Sequence, residues 1–260
     1  MQEIHKHWIE QIKSLCASAD VGHIDVVVDQ AGWELSVLPA LRSIQTMPWF
    51  SLFSGTPEES LLEQAPILMR FSLDKWRHDA WLEELVKHLW GLPRLIVLIS
   101  PMPFDALAAT LQASSQLEWG GQTGLLRFYD PRVLPQLLSN VLTAEQKERF
   151  LSVALLWSWL DRDQQPTWQS GTYRSNQVVV EPPHPISLTD AQFDRLGSIG
   201  DAQTLLGIAK AYFPSTSYEQ CFTRCYRLVL QASEESYFGD MHAYARLNFE
   251  KNQKQTGMAK

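Results

Sequence analysis

Three prolines in four positions, Pro182, Pro183 and Pro185, interrupt the chain where it reads "VVVEPPHPISL". Neither a helix interior nor a central strand tolerates such a cluster, because each ring removes a backbone N–H and fixes φ. The stretch reads as a linker, and the patterns on its two sides differ. Before it, short β-branched runs alternate with helical periodicities; after it, every segment is helical. The expected organisation is an α/β lobe over residues 1–185 and a smaller all-helical lobe over 186–260. The α/β lobe should hold a mixed central sheet flanked by helices.

Within the first lobe, Ile4, Trp8, Ile12 and Leu15 make one stripe of an amphipathic helix. "HIDVVVDQAG" follows as a strand buried on both faces. "SVLPALRSIQ" predicts a helix with Ser36 as cap and Pro39 in its first turn. "WFSLFSG" and "APILMRFSL" read as strands, separated by Thr56-Pro57-Glu58-Glu59, which matches a capping box. Asp74 is placed to cap a long helix that Gly91 ends. "RLIVLIS" is a further buried strand and "PFDALAATLQAS" a short helix. Thr143 and Gln146 form another capping box. "ALLWSWLDRDQQPTWQSGTYR" reads as a hairpin with Trp157 and Trp159 on one side and Trp168 facing them across it. In the second lobe, Thr189 and Gln192 cap "DAQFDRL", "DAQTLLGIAKAYF" runs to Pro214, and two more helices lead to a frayed polar tail.

Composition narrows the functional classes. The chain has 260 residues, 22 Lys and Arg against 29 Asp and Glu, and a net charge of −7. This argues against a nucleic-acid surface, which needs a basic stripe. No apolar run is long enough for a membrane span, and "MQEIHKHWIEQIKSL" lacks the apolar core of a signal peptide, so the expected location is cytoplasmic. Cys16, Cys221 and Cys225 are too few for a disulfide framework and read as reduced core residues. His5-Lys6-His7 lies in an exposed first turn without a further ligand. His78 and His88 are ten apart, not at zinc-binding spacing. There is no phosphate loop, since Gly120-Gly121 precedes a strand, and no nucleophile elbow. No catalytic, cofactor-binding or metal-binding residue is expected. Asp161 and Asp163 are the one paired-carboxylate alternative, in a turn where Asp is favoured for its backbone alone. They would serve a small hydrolase.

The stretch "GLLRFYDPRVLPQLL" is the least ordinary. Strand alternation puts Leu125, Arg127 and Tyr129 on one face and Leu126 and Phe128 on the other. Asp130 is then the N-cap of a helix opened by Pro131, its carboxylate held by Arg132 or Arg127. The motif is a locked strand-to-helix corner, or else it presents Arg127, Tyr129 and Arg132 to a partner.

"LLRFYDPRVL" resembles the signature of the adaptor-chaperones of bacterial type VI secretion, the Tap or Tec proteins. "SLFSGTPEESLLEQAPILMRFS", "WGLPRLIVLISPMPFDALAATLQ" and "ISLTDAQFDRL" are similar to further blocks of that family, in the same order along nearly the whole chain. The resemblance implies a non-enzymatic protein that binds a cognate toxic effector in the cytoplasm and promotes its loading onto the VgrG spike. It implies no cofactor, nucleic acid or membrane. A groove between the lobes would take an apolar effector segment, with Trp157, Trp159 and Trp168 on one side and Tyr226 and Tyr237 on the other. A structural spike-binding part without effector preference is the remaining alternative.

Overall fold

β-Branched runs that bury both faces set the architecture. The computed structural model describes residues 4–44, 46–175 and 183–257, side chains of 252–257 excepted. Six strands form one sheet: β1 (His23–Val28), β2 (Trp49–Ser51), β3 (Ile67–Ser72), β4 (Leu95–Ile99), β7 (Leu156–Leu160) and β8 (Pro166–Ser170), in the order β2-β3-β1-β4-β7-β8. Each neighbouring pair in it is antiparallel. A smaller sheet joins β5 (Gln116–Trp119) to β6 (Gln122–Leu125) antiparallel and to β9 (Ile186–Ser187) parallel. The α/β class is as read.

Strand register decides which residues share a face. Ile24, Val26 and Val28 lie opposite Phe71, Met69 and Ile67, and Val26 and Val28 also meet Val97 and Leu95. This face packs on α1 (Ile4–Ser18) and α3 (Trp76–Leu89) through Trp8, Ile9, Ile12, Leu82, Leu85 and Val86. The indole of Trp8 reaches across it to donate to Ser158 Oγ of β7 at 2.9 Å. On α1 the buried stripe is His5, Trp8, Ile9, Ile12 and Cys16; Ile4 and Leu15, expected on it, sit at its margins and are exposed. His5 is correspondingly not an exposed ligand candidate, since it is buried against the Trp90 ring, 6.0 Å between centroids.

The second face carries Asp25, Val27, Leu68, Arg70, Ile96, Leu98, Trp157 and Trp159. Asp25 and Arg70 are directly opposite on adjacent strands and make a bidentate pair, at 2.7 and 2.8 Å, while Arg70 also donates to Met102 O. The guanidinium lies over Phe104, the first residue of α4 (Phe104–Ser114). Phe128 and Phe150 cover the other end, Phe128 edge-on to Trp157 at 6.4 Å and Phe150 stacked on it at 5.1 Å.

Local start signals close in two places and fail in two others. Thr143 and Thr189 each form complete capping boxes, with Gln146 and Gln192, at α6 (Ala144–Leu151) and α7 (Asp190–Tyr212). The Thr56 box does not form: Thr56 Oγ1 caps a turn at Glu58, and a 3₁₀ segment, Glu59–Gln64, follows. Asp74 does not cap α3 either; the first residue outside it is Lys75, without a side-chain bond. Helix α2 (Leu38–Ser43) starts after Val37, with Ser36 Oγ accepting the Leu38 N–H at 3.2 Å. Gly91 takes the left-handed conformation expected at a helix end, φ 80°.

The chain divides between Leu188 and Thr189, three residues past the expected boundary, because Ile186 and Ser187 pair with β5. Pro182 lies outside the described residues. The second unit is helical: α7 is one continuous helix rather than two, followed by α8 (Tyr218–Glu234) and α9 (Met241–Gly257). The tail expected to fray is helical to Gly257, and the residues beyond lie outside the described ones.

All three cysteine side chains are buried. Burial, with a smaller push from Asp25, raises Cys16 from its usual 9.0 to about 12; burial and Cys221 do the same for Cys225. Thiol reagents at pH 8 are therefore expected to spare the native protein and to titrate all three cysteines only after denaturation. The folded values lie above the unfolded one. The stability linked to these thiols is thus fully present below pH 9 and is lost as the pH climbs toward about 12.

Candidate functional site

Strand β6 stops at Leu125, and the motif that follows is a run of turns. Leu126 N–H donates to Ser115 O at 2.8 Å, Phe128 N–H to Leu126 O at 2.8 Å, and Asp130 N–H to Arg127 O at 3.1 Å. The strand alternation expected through Tyr129 is therefore absent. Leu126, Phe128 and Tyr129 are all buried, so Tyr129 is not presented to a partner. The helix opens later than expected, at α5 (Leu134–Gln136), which continues as a π-helical turn through Val141. Pro131 occupies a turn and not the first helical position. Asp130 still does part of a cap's work: its Oδ1 accepts the Arg132 N–H at 2.8 Å, and its carbonyl accepts from Val133 and Leu134.

The corner is built on two buried carboxylates. Asp130 is gripped in bidentate fashion by Arg132, Nε to Oδ1 at 3.0 Å and Nη2 to Oδ2 at 2.7 Å. Arg127 Nη2 lies 3.8 Å from the same carboxylate but only 2.6 Å from Asp29 Oδ2. Asp29 stands at the end of β1, and its other oxygen accepts the Ala31 N–H at 3.0 Å. Arg94 closes that side by donating to the carbonyls of Asp29 and Ala31. Arg162, from the β7–β8 turn, donates to Arg132 O at 2.8 Å. The residue after Asp29, Gln30, is equally committed. Its amide donates to Leu62 O and Ala65 O and accepts from Ser36 Oγ and Val37 N–H.

The acids and bases are unequally placed. The Asp29 and Asp130 side chains are 3% and 4% exposed, whereas Arg127 and Arg132 are 44% and 38% exposed. Burial works against the Arg127 charge, but Asp29 outweighs it and raises the group further; Arg132 is raised chiefly by its hydrogen bond to Asp130. Burial, reinforced by Asp29, pushes the Tyr129 phenol upward, so that it stays neutral. Each guanidinium thus spends one edge on a buried acid, Arg127 also meets the Tyr129 hydroxyl, and both remain partly open to solvent. Such an arrangement can donate to carboxylates or backbone carbonyls of a partner.

The other expected contact residues separate. Trp157 and Trp159 are buried, in place of an exposed aromatic patch. Trp168 pairs with Ser158, which puts it on the opposite face from them, packed on the helix-covered core. Tyr226 is buried, stacked on Phe222 and donating to Arg195 O at 3.2 Å; Tyr237 is partly exposed against Tyr244. The Asp161 carboxylate organises its turn, accepting the N–H groups of Asp163 and Gln165 at 2.9 and 2.8 Å. Among the described residues no three His, Cys, Asp or Glu side chains form a metal-holding group, and no helix is long and apolar enough to cross a membrane.

Sequence reasoning missed Asp29, the anchor of Arg127. The one local hint was an acid directly after three valines, a place where an unpaired carboxylate would be costly.

Residues 26–149 match the family described as a domain of unknown function (DUF4123). No curated protein and no solved structure matches the chain.

Proposed function

We propose that the protein is a type VI secretion adaptor: it binds one toxic effector in the cytoplasm and promotes its loading onto the VgrG spike, without catalysing a reaction. The observation that carries this reading is the family match, because this domain family is known in type VI secretion effector adaptors. The matched segment contains Asp29, Arg127, Asp130 and Arg132, so the charged corner belongs to the part of the chain shared with that family. In this reading the buried acids fix the two arginines and their open edges meet a partner. Trp157 and Trp159 hold the sheet face beneath and touch no partner themselves.

Co-purification tests it, with the product of the neighbouring toxin gene, with VgrG, and with both. A stable complex with that toxin and none with an unrelated toxin is expected. Binding to VgrG alone would replace the adaptor with a structural spike component, and binding to neither would remove the reading altogether.

A further inference from the structure

Helix α8 ends in a built knuckle. Ser236 is left-handed, φ 53°, and the N–H groups of Tyr237 and Ser236 return to Ala232 O and Ser233 O at 2.8 and 3.0 Å. This is the paired closure that ends a helix on a left-handed residue. The Tyr237 ring folds over Gly239 and tilts against Tyr244, 4.6 Å between centroids, and its hydroxyl donates to Asp240 O. Asp240 Oδ1 accepts the His242 N–H at 2.8 Å as α9 begins. Glu235 receives Gln231 Nε2 at 2.7 Å and the Tyr244 hydroxyl at 2.8 Å. Residues on both sides are tied down, yet Phe238 at the tip is 96% exposed.

With the backbone on both sides held, binding through this aromatic orders one side chain and little main chain, which favours an anchor over a stray apolar residue. The flanking charges add a sign. Glu234, Glu235 and Asp240 flank the tip in sequence with no Lys or Arg between Ser233 and His242, and Lys251 of α9 offsets Glu235, one of the three, so the balance is acidic. The complementary surface is an apolar pocket rimmed by basic groups. The knuckle also lies outside residues 26–149, the segment that matches the family. An adaptor needs separate surfaces for spike and effector; the charged corner within the matched segment offers one, and the knuckle outside it offers another. We propose that Phe238 is the anchor by which the helical unit holds the effector, seated in an apolar pocket rimmed by lysine or arginine.

The inference rests on the adaptor reading and is tested apart from it. The full-length protein, Phe238→Asp and Phe238→Trp are each titrated with the purified product of the neighbouring toxin gene, and in parallel with VgrG. Phe238→Asp is expected to weaken toxin binding by roughly 30-fold or more, the scale of a hot-spot anchor, while Phe238→Trp stays within about threefold. VgrG binding and the Tm should not move. Wild-type binding to the toxin that survives Phe238→Asp overturns the anchor and leaves the adaptor reading standing. So does a loss confined to VgrG, a lowered Tm, or a wild-type dimer that the substitution splits. Wild type that binds neither protein removes the adaptor reading, and the anchor with it.

Discussion

Asp130→Ala is expected to destabilise the folded protein by roughly 2–3 kcal/mol, between the ~1 kcal/mol of a lost cap and the ~3–5 kcal/mol of a wholly buried ion pair broken on one side. The carboxylate is almost completely buried and takes three hydrogen bonds from Arg132, two from the guanidinium and one from the backbone. Its removal leaves all three donors facing a void. The cost stays below the upper figure because Arg132 is half-exposed and its guanidinium can turn to water. Asp130→Asn retains an oxygen for the Arg132 N–H and should cost about half as much. Denaturant unfolding of the three proteins, compared at the same m-value, measures this. A loss near 1 kcal/mol for the alanine variant would reduce the corner to an ordinary cap. The same logic links the corner to the sheet: Asp29→Ala and Asp130→Ala should be more than additive, because after either single loss Arg127 can turn to the remaining acid and in the double variant it has neither.

What the sequence made legible was whatever neighbouring residues decide. Thr143 and Thr189 were readable because a capping box closes within four residues. The valines of β1 were readable because burial on both faces needs no alternation. Thr56 and Asp74 offered the same local chemistry, but the segments after them answer to packing: the 59–64 stretch folds as a 3₁₀ turn, and the Ser72 N–H goes to His78 Nδ1. Strand direction had no local signal, since alternation of strand and helix fits antiparallel neighbours as well as parallel ones. The hairpin was found but its pairing was not. A register in which Ser158 meets Trp168 puts the tryptophans on opposite faces, and the turn length that fixes it depends on Asp161 gathering two backbone N–H groups. At the corner, the cation–carboxylate logic within Asp130-Pro131-Arg132 was visible. The partner of Arg127, 98 positions away, was not.

The largest loss should follow from Trp157→Ala, about 3–5 kcal/mol, the range for truncating a fully buried aromatic. Trp157 is completely buried, stacked on Phe150 at 22° and met edge-on by Phe128, so its removal hollows the face on which the motif rests. Trp168→Ala, on a partly buried residue of the edge strand, should cost well under half as much. Among the described residues the buried indole N–H of Trp157 meets no acceptor, so its ring carries a desolvated donor. Trp157→Phe loses packing area but also that donor, and the two partly cancel, leaving a cost of about 1 kcal/mol. Thermal melts of the three variants decide the order. If Trp157 instead met a partner across an exposed face, its alanine variant would melt like wild type and fail to bind. The buried geometry requires the converse: below its lowered Tm, Trp157→Ala should hold the toxin as wild type does, because its contribution to binding is made entirely through the fold.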